Sequence, residues 1–211
     1  MRIIQIAGFL GSGKTSAIIS LARTMSGEFK KRVALVVNEI GEIPVDGKVV
    51  EEYGLRVKDL GGGCICCEIA TSFTNTLVLL SQTFKPDFVL VEPTGVAIPN
   101  QVKLAALMAK RDCDIALGPA VVLFDATRPE ELLFNDILGN IVIRQISDAD
   151  VIAISKIDAV SDEQLVDCEQ QVRKINQNAR IMRISSVRGD GLGDLVKLIT
   201  EPVEYPAYQI R

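Results

Sequence analysis

Near its N-terminus the chain carries the glycine-rich octapeptide Gly8-Phe9-Leu10-Gly11-Ser12-Gly13-Lys14-Thr15. The pattern G-x-x-x-x-G-K-T is that of a phosphate-binding loop, in which glycines let successive backbone N–H groups converge on an anion. An apolar run, Ile3–Ala7, precedes the loop, and apolar residues at helical spacing follow it from Ala17 to Met25. The alternative is a glycine-rich turn that contains Gly-Lys-Thr by chance. The strand before the loop and the helix after it favour phosphate binding.

The same loop predicts which groups hold a bound nucleoside triphosphate. Its phosphates would lie on a helix N-terminus, with Lys14 reaching the β and γ oxygens. The Thr15 hydroxyl would be a ligand of the Mg²⁺ that bridges those oxygens. We therefore predict that the nucleotide contacts the loop and the first helical turn at Gly8, Gly11, Ser12, Gly13, Lys14, Thr15 and Ser16.

Composition restricts the class of protein. A chain of 211 residues suits one sizeable α/β domain, and we expect a single domain over residues 1–211. A net charge of −4 without a basic run argues against nucleic acid or an anionic membrane as the main partner. No apolar run has the length of a membrane span, and the N-terminus lacks a signal-peptide pattern, so we expect a cytoplasmic protein.

Short apolar runs alternate with amphipathic segments along the chain. A strand buried on both faces of a parallel sheet has such a run, and we predict strands at Ile3–Ala7, Val33–Val37, Phe88–Val91, Ala120–Phe124, Val151–Ile154 and Ile181–Ile184. Alternating strands and helices imply a doubly wound α/β fold with a mainly parallel sheet and helices on both faces. Ligands of such sheets bind at the carboxyl ends of the strands.

Two carboxylates follow the second predicted strand, in the segment Asn38-Glu39-Ile40-Gly41-Glu42. They lie on a glycine-containing loop at a strand's carboxyl end, where they could hold Mg²⁺ or orient a water molecule. Ordinary solvation of a loop is the alternative, and the segment alone does not decide between them.

Three thiols occur within four residues after three glycines, in Gly61-Gly62-Gly63-Cys64-Ile65-Cys66-Cys67. Soft thiolates select Zn²⁺, Cu⁺, Ni²⁺ or Co²⁺, and three of them leave a fourth coordination position open. A redox pair or three buried thiols are the alternatives. We favour a metal site, because buried apolar thiols would not need three glycines before them. Five cysteines, three of them within four positions, also suit a reducing compartment in which thiols serve metals or chemistry. The chain has no histidine, so thiolates and carboxylates must supply the ligands.

Another carboxylate ends the strand that precedes Pro93-Thr94-Gly95. An apolar strand that delivers Glu92 toward a phosphate loop is typical of a nucleoside triphosphatase, in which the acid holds Mg²⁺ directly or through water. Gly95 would let the backbone approach the γ-phosphate. Cys113 and Cys168 are interpreted as an incidental thiol and a core residue.

The tetrapeptide Ser155-Lys156-Ile157-Asp158 follows a late apolar strand. Asp158 could accept two hydrogen bonds from guanine, and the stem of Lys156 could cover a face of the base. The alternative is a helix N-cap supplied by Asp158 or Ser161. The position of the tetrapeptide favours base binding, and Ser186 in the next loop would lie on the other side of the base.

These motifs, in this order, resemble those of the CobW/HypB/UreG family of metal-handling GTPases, in particular its CobW-like branch. The resemblance covers nearly the whole chain, and the Cys-x-Cys-Cys element after glycines is its most specific part. It implies a catalytic Mg-GTP site that contains Lys14, Thr15, Glu39 and Glu92. It also implies that guanine binds at Lys156 and Asp158, and a transition metal at Cys64, Cys66 and Cys67.

The sequence departs from the family pattern at two places. Ser155 replaces the usual asparagine, so we expect the loss of an amide that braces the base loop. The sequence also lacks the C-terminal domain of longer CobW-like proteins, which predicts that client recognition lies on the GTPase domain.

The resemblance implies a GTPase that binds Zn²⁺, or alternatively Co²⁺ or Ni²⁺, and delivers it to a client metalloprotein or metal-cofactor enzyme. GTP or GDP and Mg²⁺ are the expected cofactors, and a nucleotide-dependent homodimer is possible. A GTPase switch that assists a metal- or cobamide-dependent enzyme without carrying metal is the alternative. A small-molecule kinase is disfavoured, because no arginine-rich lid segment is evident.

Overall fold

The computed structural model describes residues 1–37, 56–59, 68–134, 138–203 and 205, with the backbone alone described at 56–59 and 68–72. In this part of the chain the strands are β1 Arg2–Gly8, β2 Val33–Val37, β3 Arg56–Asp59, β4 Phe88–Glu92, β5 Ala116–Asp125, β6 Val151–Ser155 and β7 Arg180–Arg183. The helices are α1 Lys14–Gly27, α2 Glu68–Thr83, α3 Pro99–Met108, α4 Pro129–Phe134, α5 Gly139–Ser147, α6 Asp162–Ile175 and α7 Leu192–Thr200.

The described strands form one sheet in the order β3-β2-β4-β1-β5-β6-β7, and every neighbouring pair is parallel. The chain runs outward from the centre on one side, returns, and then runs outward on the other. This order confirms the predicted doubly wound α/β fold. The carboxyl ends of all the strands therefore meet at one edge of the sheet, which is where ligands of such folds bind.

Apolar side chains cover both faces of the sheet. On one face, Ile4 and Ile6 of β1 pack with helices α1 and α7. On the other face, Ile3 packs with α2 and α3, and Ala7 packs with α5 and α6. Successive residues of β1 thus alternate between the two faces of the sheet, as the two-residue period of a strand requires. This double burial explains why the central strands are uninterrupted apolar runs.

The structure differs from the predicted strands in one additional strand and in the bounds of the last strand. Strand β3 was not predicted, because its sequence Arg-Val-Lys-Asp at the sheet edge contains no apolar run. The last strand covers Arg180–Arg183 rather than Ile181–Ile184, a shift of one residue. The other predicted runs lie within strands at the expected positions. Among the described helices, none has the length and apolar character needed to cross a membrane.

Candidate functional site

The glycine-rich loop leaves the centre of the sheet between strand β1 and helix α1. Gly8, Gly11 and Gly13 have φ angles of 140°, 75° and 91°, a left-handed region that side chains rarely adopt. A Cβ at Gly8 would also lie 2.6 Å from the Leu123 carbonyl oxygen. Glycine is therefore required by the backbone conformation of the loop and, at Gly8, by close contact with β5.

The predicted loop side chains lie at the start of α1. The Lys14 ammonium donates to the Phe9 carbonyl oxygen at 3.3 Å and is largely buried, so its charge stays inside the curve of the loop. Ser12, within the loop, is buried. Ser16, the residue after Thr15, is exposed. The arrangement places a cation and a helix N-terminus together, and both favour an anion.

Thr15 and Glu92 meet across the sheet edge, although 77 residues separate them. The Thr15 hydroxyl donates to Glu92 Oε1 at 2.7 Å, and the Glu92 side chain is almost completely buried at the end of β4. Hydroxyl and carboxylate oxygens are hard ligands of the kind that Mg²⁺ prefers, so this pair fits a magnesium ion next to the loop. The structure thus brings together two side chains that the sequence assigns to one predicted Mg²⁺ site.

The turn after Glu92 packs against the phosphate loop. A Cβ at Gly95 would lie 2.8 Å from the Leu10 side chain and 3.0 Å from its backbone nitrogen. The buried amide of Gln145, on α5, donates to the Gly95 and Ala97 carbonyl oxygens at 3.0 and 2.9 Å. Sequence patterns did not identify Gln145, because a glutamine within an amphipathic helix resembles a surface residue.

The tetrapeptide Ser155-Lys156-Ile157-Asp158, called the base loop, is joined to the phosphate loop. The Ser155 hydroxyl donates to the Ser12 carbonyl oxygen at 2.9 Å and lies 3.2 Å from the Phe124 carbonyl oxygen. A hydroxyl therefore connects the two loops at the position where the sequence predicts the loss of a bracing amide. The short serine side chain reaches the Ser12 carbonyl oxygen because Ser155, the last residue of β6, lies next to the phosphate loop and in register with Asp125.

Lys156 has a left-handed backbone, with φ 60° and ψ 34°, which is uncommon for a residue with a side chain. Its ammonium contacts Asp125 Oδ2 at 2.7 Å, and Asp125 also accepts hydrogen bonds from the backbone and hydroxyl of Thr127 at 3.0 and 2.7 Å. Burial opposes ionisation of Asp125, but the hydrogen bonds from Lys156 and Thr127 outweigh it and lower the pKa of this carboxyl.

Asp125 was missed in the sequence, although a usable signal was present. It follows the apolar run Ala120–Phe124 directly, just as Glu92 follows its own strand. A carboxylate at the carboxyl end of a buried strand marks both residues, and the same criterion identifies Asp125.

Asp158 lies in a single 3-10 turn, Ile157–Ala159, beside the loop that follows β7. The Ser185 hydroxyl donates to its carboxylate at 2.5 Å, and this hydrogen bond lowers the pKa of Asp158. Helix α6 is instead capped by Ser161, which exchanges hydrogen bonds with Gln164. Asp158 is therefore not the N-cap of that helix, and it is partly buried.

Ser186 follows Ser185 in the same loop and is half-buried. Ser185 stabilises the conformation of this loop, because its hydroxyl oxygen also accepts a hydrogen bond from the Arg188 backbone N–H at 3.0 Å. The loop lies beside Asp158, and the serine before Ser186 contacts the carboxylate.

Four predicted ligands lie outside the described residues, namely Glu39, Cys64, Cys66 and Cys67. In the described part of the chain, no three metal-ligating side chains cluster together. Cys168 is buried in the apolar core, as predicted, and Cys113 is half-buried with its thiol 3.3 Å from the Ala109 carbonyl oxygen.

Comparison with known proteins identifies the family. The model of the CobW/HypB/UreG nucleotide-binding domain matches residues 2–183. The zinc chaperone YeiR of Escherichia coli (strain K12) is 33% identical over 159 residues, which cover 75% of this chain and 47% of that protein. The zinc-regulated GTPase metalloprotein activator 1 of Schizosaccharomyces pombe is 30% identical over 203 residues, covering 92% and 48%.

The chain spans about half the length of these two relatives. Among solved structures, HypB from Helicobacter pylori in complex with nickel has a TM-score of 0.67 and 19% identity, and the match covers 94% of this chain and 85% of that one. The likeness shows that the two share a fold. From the match over residues 2–183, the chain belongs to the CobW/HypB/UreG family.

Proposed function

We propose that this chain binds and hydrolyses GTP, and that the nucleotide state controls a transition-metal site. The proposal of GTP binding and hydrolysis rests on one contact. The Thr15 hydroxyl and the buried Glu92 carboxylate are 2.7 Å apart next to the phosphate loop. A glycine-rich turn without function has no reason to bury a carboxylate against its first helical hydroxyl, because burying a charge is unfavourable.

The residues of the loop have separate tasks in this proposal. Backbone N–H groups of the loop bind the phosphates, and Lys14 supplies positive charge next to them. Thr15, Glu92 and Glu39 would hold Mg²⁺, which when bound would neutralise charge on the phosphate oxygens. Gly95, held by Gln145, keeps the backbone of the turn close to the phosphate end of the site.

Base recognition is proposed at Asp158 and Lys156. The lowered pKa of Asp158 keeps its carboxylate ionised near neutral pH, which a double acceptor for guanine requires. The Lys156 side chain is fixed by Asp125, so its stem is held beside the base position. One relative is named a GTPase, which supports the choice of GTP over ATP.

We propose that the metal binds at Cys64, Cys66 and Cys67 and passes to a client metalloprotein or metal-cofactor enzyme in the cytoplasm. Zn²⁺ is the metal we favour, with Co²⁺ or Ni²⁺ as alternatives, because thiolates select such ions and a relative is named a zinc chaperone. A homodimer that forms with nucleotide would supply a fourth ligand or a docking surface for the client.

The strand register supports coupling between the two sites. Val37, the last residue of β2, is in register with Glu92 on one side and with Asp59 on the other. Asp59 ends β3, which β2 separates from the Glu92 strand, and Glu68 begins α2, so the segment with the three cysteines connects β3 to α2. Ordering of the loops around Glu92 by GTP would then change the anchors of the thiolates.

A titration with Zn²⁺ of the protein bound to GDP and to a non-hydrolysable GTP analogue tests this coupling. We expect affinities that differ by roughly 5- to 150-fold, and linkage requires that metal change GTP affinity by the same factor. A triple Cys64, Cys66 and Cys67→Ala variant is the control, and it should lose the tight site. Equal affinities in both states would refute nucleotide control, and an unchanged titration of the triple variant would refute the site.

Hydrolysis is tested separately with Lys14→Ala and Thr15→Ala. Both variants should lose turnover, because each removes a group that faces the phosphates. If Zn²⁺ binds nowhere while GTP is hydrolysed, the chain is better described as a GTPase switch that assists a metalloenzyme. The name of the metalloprotein activator is compatible with that second function.

A further inference from the structure

Arg128 lies between the end of β5 and the phosphate loop. Its guanidinium contacts three groups at once: Nε is 3.1 Å from Asp125 Oδ2, Nη1 is 3.3 Å from Glu131 Oε1, and Nη2 donates to the Leu10 carbonyl oxygen. The Arg128 side chain is only 28% exposed. An ordinary surface arginine at a helix start would reach Glu131 alone, so the contact with Leu10 needs another explanation.

The loop backbone packs directly against this guanidinium. Gly11 has a φ angle of 75°, and a Cβ there would lie 2.9 Å from Arg128 Nη2. The next peptide groups of the loop must point their N–H groups toward an anion. A donor that holds the Leu10 carbonyl on the outer side of the loop favours that orientation.

Arg128 is also joined to the base loop through Asp125. The buried Asp125 carboxylate binds Lys156 and Arg128 through the same oxygen, at 2.7 and 3.1 Å. An ionic chain, Lys156–Asp125–Arg128, therefore runs from the base loop to the Leu10 carbonyl. The Ser155 hydroxyl, bonded to the Ser12 carbonyl, is a second and independent link between the same two loops.

We propose that Arg128 is a positioning residue for the phosphate loop, which it holds in its anion-binding conformation and couples to the base loop through Asp125 and Lys156. The proposal rests on the proposed nucleotide-binding function. It assigns Arg128 no contact with the nucleotide, since its guanidinium already binds two carboxylates and a carbonyl.

A purely structural role is the rival explanation. Arg128 precedes α4 by one residue, and its pair with Glu131 has the i, i+3 spacing of a surface ion pair. If that were its only role, removal of Arg128 would change stability slightly and nucleotide affinity not at all. The two explanations thus differ in what each predicts for GDP binding.

The test uses Arg128→Lys and Arg128→Gln in the full chain, with Glu131→Gln as the matched control. Lysine keeps the charge, but a single ammonium group cannot replace a planar fork that binds Asp125 and Leu10 together. GDP and guanosine affinities are measured by calorimetry, and the midpoint of urea unfolding reports on folding. Guanosine carries the base without phosphates, so it separates the two loops.

We expect both Arg128 variants to bind GDP about tenfold or more weakly, while guanosine binding changes much less. Glu131→Gln should bind GDP as the unmutated protein does, because Glu131 is 59% exposed. Full GDP affinity in Arg128→Lys and Arg128→Gln would overturn the positioning role. If the unmutated protein binds no GDP, the proposed function fails and this inference fails with it.

A double-mutant cycle with Lys156→Gln tests the ionic chain itself. Because Lys156 and Arg128 act through one carboxylate, the combined loss of GDP affinity should differ from the product of the two single losses. Ser155→Ala combined with Arg128→Gln should give nearly multiplicative losses, since that hydrogen bond is a separate link. Independent losses in the Lys156 cycle would overturn the coupling.

Discussion

Two lysine–aspartate pairs in this protein have the same length but differ in the exposure of the lysine. Lys156 contacts Asp125 at 2.7 Å at the carboxyl edge of the sheet, with the lysine side chain 40% exposed and the aspartate side chain fully buried. Lys103 contacts Asp150 at 2.7 Å beneath α3, with side chains 6% and 10% exposed. Asp150 also accepts from the Ala120 N–H at 2.7 Å, so it connects α3 to strand β5.

The difference indicates what each pair contributes. The buried pair joins a helix to the sheet away from the phosphate loop, and its loss should affect folding. The pair at the sheet edge fixes a half-exposed lysine with a left-handed backbone beside the candidate base site, and its loss should affect ligand binding. Distance alone does not distinguish a structural ion pair from a functional one, whereas the exposure of the lysine and the position of the pair in the sheet do.

The largest effect on stability should come from Lys103→Met. Methionine fills the volume of the lysine stem but leaves the Asp150 carboxylate buried without its cation, which costs about 3–5 kcal/mol of unfolding free energy. Urea unfolding measures the change. A loss below about 1 kcal/mol would show that this pair is not a structural ion pair.

The matched control is Arg32→Met, which removes an exposed pair with Asp87, 3.5 Å long and 58% and 41% exposed. Solvent screens this pair, so its loss should cost less than about 1 kcal/mol. GDP affinity should be unchanged in the folded fraction of both variants.

Asp125→Asn should weaken nucleotide binding, unlike Lys103→Met. The substitution keeps the shape and the hydrogen bonds from Thr127 but removes the charge that Lys156 and Arg128 share. We expect a stability loss of about 1–3 kcal/mol and GDP binding about tenfold or more weaker. Calorimetric titration and urea unfolding check the two expectations. Unchanged GDP binding would remove the functional distinction between the two pairs.

The pH dependence of stability should contain a contribution from Asp125. Its folded-state pKa is lowered, because bonds from Lys156 and Thr127 outweigh burial, so the unfolded chain binds a proton more readily. The contribution is therefore present above the ordinary aspartate pKa of about 3.9 and is lost as pH falls through the lowered value. Asp125→Asn should flatten this acid slope of unfolding free energy. An equally steep slope in the variant would contradict the assignment.

The smallest effect concerns Asp148, which lies near the buried pair. Burial raises the pKa of this carboxyl, against the nearby positive charges of Arg144 and Lys103. The ionised form is thus unfavourable in the folded state above the raised pKa, and the penalty disappears at lower pH. Asp148→Asn should stabilise the protein by at most about 1 kcal/mol at pH 7, and the gain should shrink on acidification. A destabilised variant at pH 7 would contradict this account.

Sequence patterns predicted the central sheet because its strands are buried on both faces and therefore apolar throughout. Strand β3 was missed because polar residues at a sheet edge leave no such signal. Thr15 and Glu92 were predictable, since each motif fixes the position of a side chain at a strand or helix end. Arg128 and Gln145 were not, because each acts through backbone carbonyls that are distant in the sequence.

The most direct test of the account is nucleotide binding by the unmutated protein and Asp158→Ala, measured calorimetrically with non-hydrolysable analogues of GTP and ATP in the presence and absence of Mg²⁺. We predict that the unmutated protein binds the GTP analogue at least about tenfold more tightly than the ATP analogue, and more tightly with Mg²⁺. Asp158→Ala should lose most of this preference and retain the effect of Mg²⁺, since Thr15 and Glu92 are intact. Equal affinity for the two analogues, or binding indifferent to Mg²⁺, would contradict the proposed site.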